Sequence, residues 1–479
     1  MQNIYQEVSS LDKICYDKYA LSEDILMENA SLSISNFIKN KFQNQTSILI
    51  VVGSGNNGAD GITVARQLYD DNQNFHIKVL NLLPPKSDMA ILQDKRAKLI
   101  GVEFVSLLED IKNIKFDVIV DAIFGSGLKR DLSLEIIETI QYLNAQSSYK
   151  IACDISTGID ENGIIQDIAF KADMTITMGA LKTQLFGDSV KDSVGDIIVA
   201  NLGISKEVYQ NDTNIFLLDE SDIKLPIRNK SNSHKGTFGH LLVVSGDKDG
   251  ASRLAGLGAL NFGVGLSTIY SNEKIRLEPN LMQCNDINQI PSNITSIAIG
   301  MGLGTIYSDT ELKQIFDIRC PKIIDADMFY QDILLDYLSD DLILTPHPKE
   351  FISLLKISKT ADIDIQELQN NRIKYVERFC TKYPKIVLLL KGANVIIAQN
   401  KKMFINHFGT VALSKGGSGD VLSGIIGALL AQKVYHGYDL IECAIFGSLA
   451  HTKASNKCAK EYHNYSIVAN DLIDCLKKI

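Results

Sequence analysis

Near the C-terminal end of this sequence runs LSKGGSGDVLSGIIGALLA, residues 413–431. Its first half holds what phosphate chemistry needs. Gly416, Gly417 and Gly419 let main-chain N–H groups converge without side-chain obstruction. A helix starting there would add unpaired N–H groups and its dipole, and together these favour an anion, a phosphate above all. Asp420, in the first turn, could take a proton from a hydroxyl lying beside that phosphate. The bland alternative is a capping carboxylate, because its charge suits a helix N-terminus anyway. The GKS/T ending of a Walker A loop is absent.

Other polar groups close apolar, strand-like runs in the same half. Lys391-Gly392-Ala393-Asn394 could offer an ammonium and open backbone to phosphates, or could be a hairpin glycine after an exposed lysine. Thr345-Pro346-His347-Pro348 would hold His347 in place through its prolines, although a lone histidine is more often structural. Gly300-Met301-Gly302-Leu303-Gly304 and Asp325-Ala326-Asp327 also end strands. The two aspartates could meet Mg²⁺ through water or position a ligand.

The N-terminal half has its own constellation. GSGNNGADG, residues 53–61, follows the apolar run 47–52. It is not the GxGxxG of a dinucleotide fold, and a glycine-rich turn capping a helix would explain much of it. Asn56, Asn57 and Asp60 add amides and a carboxylate. Asp121 ends a later strand in VDAIFGSGLKRD, and CDISTGID adds Asp154 and Thr157. Hard oxygen donors from Asn57, Asp121 and Thr157 suit K⁺ better than a soft metal.

The elements that must carry these groups alternate. Residues 1–46 read as helical; strands are expected at 47–52, 76–82, 116–121, 150–154 and 174–177, with a helical stretch from 62. Strands recur at 241–245, 266–270, 297–300, 323–325, 342–345 and 386–391, and 395–398 with 402–406 could form a hairpin. Helices are expected from about 420 and over 440–458. Such alternation indicates α/β units with mostly parallel sheets, whose strand C-termini line one ligand-binding edge. A polar stretch carrying Pro226, Asn229, Asn232 and Ser233 marks a join. The expected division is residues 1–215, a linker 216–230, and residues 231–479.

Length and composition agree with two domains: 479 residues, 45% hydrophobic and 22% charged. A formal charge of −9 argues against nucleic acid as main partner. No signal peptide or membrane span is expected, and the eight cysteines show no CxxC or disulfide-like spacing. Cys15, Cys153, Cys284 and Cys443 read as small buried residues in a reducing, cytoplasmic setting.

Residues from about 231 onward resemble the NAD(P)H-hydrate dehydratase family, a ribokinase-like fold. The resemblance lies in HKGTFGHLLVVSGDKDGASRLAG, IGMGLG, DADMF, LTPHPKE, LLKGANVII and SKGGSGDVLSGIIGALLAQ. It implies dehydration of the S form of hydrated NADH or NADPH, with ADP converted to AMP and phosphate and Mg²⁺ accompanying the nucleotide. It further implies Asp420 as base, Gly419 at the transferring phosphate, Ala251, Gly304 and His347 at the hydrate, and Lys391, Gly392, Ala393, Asn394 and Val395 at the nucleotide. Met301 stands where proline is usual, Lys349 where glycine is common, and 414–418 replace an AGT-like approach. Lys415 could help bind phosphate or face solvent.

Residues from about 5 to 215 resemble the NAD(P)H-hydrate epimerase family, in LMENA, GSGNNGADG, VDAIFGSGLKRD, CDISTGID and ITMGALKTQLFG. That resemblance implies a Rossmann-like domain interconverting R and S forms at nicotinamide C6. Substrate contacts would come from Asn56, Asn57, Gly58, Ala59 and Asp60, from Gly125, Ser126, Gly127, Leu128, Lys129, Arg130 and Asp131, and from Asp154. K⁺ contacts would come from Asn57, Asp121 and Thr157. Asp154 is the candidate for handling protons, with Asp60 its rival. Ala59 replaces a glycine, a strain if that position needs positive φ; Ser156 replaces proline and Thr157 serine. A homo-oligomer acting on NADHX, NADPHX and ADP is expected. The alternatives are a ribokinase-like small-molecule kinase fused to a nucleotide-binding domain, and a nucleotide-binding scaffold.

Overall fold

The computed structural model describes residues 1–69, 74–339 and 341–479. It divides into two compact units, Asn3–Thr213 and Asn214–Ile479, the latter with Met1–Gln2.

The first unit is built on a seven-stranded parallel sheet. Its strand order is Glu103–Val105, His76–Asn81, Ser47–Val52, Val118–Ala122, Tyr149–Cys153, Met174–Met178 and Asp196–Ala200. The central strands are apolar throughout because both faces are covered. Ile48, Ile50 and Val52 pack with Ile34, Ile38 and Ile62 on one side, and Leu49 and Val51 with Ile136 and Ile140 on the other. From Ser47–Val52 the chain first steps outward to His76–Asn81, then returns to Val118–Ala122 on the opposite flank. A crevice therefore opens beyond the C-terminal ends of these two neighbours, where such sheets bind ligands.

Residues 1–46 are not all helical. Gln2–Tyr5 is a strand ahead of helices Ser9–Tyr19 and Glu23–Lys41. Ile4 and Tyr5 pair with Leu181 and Lys182, and both are buried, so tertiary pairing overrode the helical reading. The strands Glu103–Val105 and Asp196–Ala200 lay outside the sequence expectation; the first is short and the second alternates between exposed and half-buried.

The second unit carries strands in the order Met282–Cys284, Leu266–Tyr270, His240–Val244, Ser296–Ile299, Lys322–Ile324, Leu342–Leu344, Val387–Leu390, Val395–Gln399, Lys402–Asn406 and Ile215–Leu217. Pairing is parallel as far as Val387–Leu390, and the expected hairpin then adds two antiparallel strands. Ile215–Leu217, at the join expected from sequence, pairs in parallel with Met403–Ile405. One face of the sheet is covered by helices Asp249–Asn261, Ser418–His436 and Leu440–Glu461. The other is covered by Asp309–Phe316, Pro348–Ile357 and Arg372–Lys382. Here too the chain steps from His240–Val244 one way and returns on the other side at Ser296–Ile299, opening a second switch-point crevice.

Cysteine spacing misled at one pair. Cys458 and Cys475 form a disulfide between helices Leu440–Glu461 and Ala469–Cys475. Helix packing brings them together, which spacing in sequence does not signal. Cys15, Cys153, Cys284 and Cys443 are free and buried.

Candidate functional site

Each unit has polar groups gathered at its switch point. In the first, helix Asn56–Leu68 starts directly from the glycine turn with Gly55 as an N-cap that lends no side-chain acceptor. Gly58 must be glycine, because a Cβ there would lie 2.0 Å from the Gly53 carbonyl oxygen. Ala59 is not a strained position: it lies inside the helix, its N–H donates to Gly55 O at 3.1 Å, and its buried methyl packs with Met27 and Ala90. The concern about positive φ is thereby removed.

The crevice is a cavity of about 640 Å³. Asn56, Asn57, Asp60, Asp154 and the run Gly125 to Arg130 reach its wall, while Gly58 and Ala59 lie beneath and Asp131 is outside its lining. Asn56 Nδ2 donates to Glu23 Oε1 at 2.5 Å. A Cβ on Gly125 would meet Asp154 Oδ2 at 3.1 Å and Asn57 Oδ1 at 3.2 Å, so that glycine lets the two side chains approach. Asn57 is half-buried, but both its amide atoms are buried and, among the described residues, unpartnered, which is costly unless something else binds there.

Asp121 and Thr157 lie deeper. Thr157 donates to Asp121 through its N–H and its hydroxyl, both at 2.7 Å. Burial still pushes the Asp121 carboxyl up to about 6, these hydrogen bonds opposing it. No basic side chain among the described residues pairs with Asp121, so a wholly buried carboxylate, an orphaned amide carbonyl and a hydroxyl lie in one region. A hard monovalent cation fits that donor set.

Asp154 sits at φ +68°, a conformation rare for a non-glycine residue and often found at functional sites. Its carboxylate is held by Lys182 Nζ at 2.6 Å, Thr177 Oγ1 and Met178 N at 3.1 Å, and Ser126 N at 3.3 Å. Burial alone would raise its pKa, but Lys182 and these donors hold it below the usual value. Asp60 behaves oppositely: burial, then the charge of Asp154, pushes its carboxyl well above the ordinary range. Lys182, Asp12 and Tyr16 also line the cavity and had no assigned role in the sequence. Lys182 lay within ITMGALKTQLFG, whose position directly after a strand end was the one available signal.

In the second unit, helix Ser418–His436 begins where expected. Gly417 is its N-cap at φ +90°, and no side chain caps it. Among the described residues the N–H groups of Gly419 and Asp420 have no protein acceptor. The Lys391 ammonium would lie 3.7 Å from a Cβ on Gly419. It donates to Asp325 Oδ1 at 2.7 Å and lies 3.7 Å from Glu350 Oε2. Asp325 is further occupied by Ala326 N at 2.9 Å and Ser423 Oγ at 2.8 Å, so it anchors Lys391 and has little freedom to meet a metal. Asp420 is pushed up to about 6 by burial and by Asp325, with Lys391 opposing.

His347 caps helix Pro348–Ile357. Its Nδ1 accepts from Lys349 N and Glu350 N at 3.1 and 3.2 Å, and its Nε2 lies 3.1 Å from Glu350 Oε1. The ring is therefore a neutral tautomer donating from Nε2, and burial and Lys391 keep its pKa low. Burial pushes Glu350 up to about 7 against the pull of Lys391. Gly304 is at φ +62°, and Asp327 Oδ2 accepts its N–H at 2.9 Å. Ala251 adjoins the same loop, 3.2 Å from a Cβ on Gly302. The turn Lys391 to Asn394 is fixed by buried Arg372, whose guanidinium donates to Asn394 O at 3.0 Å and Lys391 O at 3.1 Å. Gly392 and Ala393 at its tip are exposed, while Asn394 is buried and Val395 half-buried. Lys415 donates to Tyr465 O at 2.5 Å, a contact that sequence could not foresee.

Two family models match the chain: YjeF-related protein N-terminus over residues 23–184, and NAD(P)H-hydrate dehydratase over 241–478. A bifunctional NAD(P)H-hydrate repair enzyme of Helicobacter pylori is 39% identical, covering 100% of both chains. One of Escherichia coli is 28% identical over 90% of this chain and 84% of its own. The Bacillus subtilis ADP/ATP-dependent NAD(P)H-hydrate dehydratase, co-crystallised with ATP and Mg²⁺, is 28% identical with a TM-score of 0.47, covering 56% of this chain and 98% of its own.

Proposed function

The chain belongs to the bifunctional NAD(P)H-hydrate repair enzymes, and from that premise we propose how its two sites divide the work. The protein is an NAD(P)H-hydrate epimerase and dehydratase. In our reading the first unit interconverts the R and S forms of NADHX and NADPHX at C6, and the second dehydrates the S form with ADP as phosphate donor.

Hydroxide is a poor leaving group and phosphate a good one. Asp420 takes the proton of the C6 hydroxyl as its oxygen accepts the phosphoryl group. Departure of phosphate with loss of a C5 proton then restores the C5–C6 double bond of the dihydronicotinamide. Gly419 and Asp420 N–H groups and the Lys391 ammonium meet the charge on the transferring phosphate; fixed donors of this kind carry most of the catalysis in phosphoryl transfer. Ala251, Gly304 and His347 hold the hydrate, and Lys391 to Val395 the nucleotide. Mg²⁺ bound with the nucleotide would supply charge neutralisation of its phosphates, and Asp420 is the hard oxygen donor that would face it, Asp325 and Glu350 being occupied by Lys391 and His347. In the first unit Asn56, Asn57, Asp60, Gly125 to Arg130 and Asp154 hold the substrate, with Gly58 and Ala59 shaping the turn beneath them. Asn57, Asp121 and Thr157 would hold K⁺, whose charge would balance the buried carboxylate.

The observation that carries the dehydratase reading is the pair of N–H groups at Gly419 and Asp420, unsatisfied among the described residues, beside the half-buried Lys391. The test is repair of separated R and S hydrates with ADP against ATP. Dihydronicotinamide absorbance should return from S directly, and from R through prior epimerisation. A stable phosphorylated alcohol with no hydrate turnover would instead fit the small-molecule kinase.

A homo-oligomer in the cytoplasm is part of the same proposal, and sedimentation measures the first. Among the described residues no helix is long and apolar enough to cross a membrane.

A further inference from the structure

Four carboxyls line the cavity of the first unit, Asp12, Glu23, Asp60 and Asp154, with Lys129, Arg130 and Lys182 as its basic side chains; Glu23 accepts from Asn56 Nδ2, and Lys129 lies 3.1 Å from Glu161 Oε2. Lys182 can balance only one of Asp12, Asp60 and Asp154, and geometry decides which. The Lys182 ammonium is spent on Asp154 Oδ1 at 2.6 Å, Thr177 Oγ1 at 2.9 Å and Met178 O at 3.1 Å. All three of its hydrogens are thereby engaged, so it is neither a free nucleophile nor a base. Asp154 receives four donors and is held in a left-handed backbone conformation. A carboxylate so fully solvated by fixed donors is a poor proton acceptor and a permanent local anion.

Asp60 presents the reverse arrangement. It projects from the first helical turns after the glycine loop, its carboxyl opens on the cavity, and no donor among the described residues reaches it. Asp12 has a partner of its own, the Tyr209 hydroxyl at 2.8 Å. Burial and the neighbouring anion favour the neutral form of Asp60, the state a proton donor needs.

We propose that Asp60 is the acid that protonates the departing C6 hydroxyl, while Asp154, clamped by the positioning residue Lys182, is the fixed anion that faces the cation left behind. The proposal rests on the epimerase reading of this unit. The C6–O bond breaks with its electrons going to oxygen, the Asp60 proton joins that oxygen, and water leaves. The N1 lone pair forms the C6=N1 iminium, and Asp60 becomes a carboxylate. Water then adds to the opposite face of C6, the iminium electrons return to N1, and the proton from that water returns to Asp60. Nothing is oxidised or reduced, and the net change is inversion at C6. Asp154 faces positive charge that exists only during the reaction, which is where a preorganised charge acts on rate.

The test uses full-length protein without nucleotide, so that the dehydratase is idle, with separated R or S hydrate of NADH in ¹⁸O-water. Wild-type inversion should place solvent oxygen at C6, above the spontaneous background, in step with epimerisation. Asp60→Asn should lose about a hundredfold or more in kcat with KM changed only a few-fold, the range for removing a general acid. Formic acid should restore turnover to Asp60→Ala and not to Asp154→Ala. Lys182→Met should lower kcat, and Lys182→Arg should recover part of it. Inversion without solvent oxygen, or near-normal kcat in Asp60→Asn, overturns the assignment even if every other variant fails to fold. Wild-type protein that does not interconvert R and S overturns the epimerase reading itself, a distinct outcome.

Discussion

Dehydration should switch on as pH rises through about 6, because Asp420 must be ionised to take the hydroxyl proton. Burial first, then the neighbouring Asp325 charge, carries its pKa from 3.8 to about 6. Such a group is roughly 9% ionised at pH 5 and roughly 91% at pH 7, so kcat/KM for the S hydrate should climb about tenfold between them. An aspartate at the ordinary 3.8 would change the rate by less than about 10% over the same interval. The assay is recovery of dihydronicotinamide absorbance at saturating nucleotide, with nucleotide affinity measured separately by calorimetry. Asp420→Asn should bind nucleotide normally, lose about 10²- to 10⁴-fold in turnover, and leave a residual rate without the limb. A limb that persists in Asp420→Asn belongs to the nucleotide phosphate and refutes the base assignment, as does a flat wild-type profile. The same shift has a stability sign. The folded state keeps the proton more tightly than the unfolded chain, so stability falls as pH rises from 3.8 and the loss is complete above about 6. Asp420→Asn should therefore be the more stable protein at pH 7, by up to about 3 kcal/mol.

Three other perturbations probe different parts of the molecule. Asp121 is also raised to about 6 by burial, so added K⁺ should raise the melting temperature more at pH 7.5 than at pH 5, by roughly the stability lost when an unbalanced carboxylate ionises; equal K⁺ effects at both pH values would count against Asp121 as a ligand. Ala59→Gly, toward the residue usual in the family, should destabilise by about 1 kcal/mol in denaturant unfolding, since it loosens a helix and removes a methyl packed on Met27 and Ala90. Lys391→Met leaves Asp325 and Glu350 without their cation; a loss of about 3–5 kcal/mol in calorimetry and a more alkaline dehydratase limb are expected, the latter because Lys391 opposes the rise of Asp420.

The parts of both sites that depend on neighbours in sequence were legible without a structure. Gly416 to Asp420 announced a helix start with open N–H groups, and the structure has that start at Gly417 and Ser418. GSGNNGADG announced a turn into a helix, and apolar runs announced most central strands, because strands buried on both faces must be apolar throughout. Local chemistry could even place Asp121, Asp154 and Thr157 on one edge, since right-handed crossovers leave all parallel strand ends there.

What sequence could not decide was which charge meets which. Lys182 balances Asp154 and leaves Asp60, among the described residues, without a partner; Asp325 anchors Lys391 and is thereby occupied; Arg372 fixes the 391–394 turn from a helix on another layer; and Cys458 finds Cys475 through helix packing. Ala59 shows the same limit in reverse, its feared strain vanishing once the helix begins before it. Residue type and spacing determine where a strand ends and what donors stand there. Burial and the distance between side chains on different elements determine protonation, and those exist only once the layers have packed.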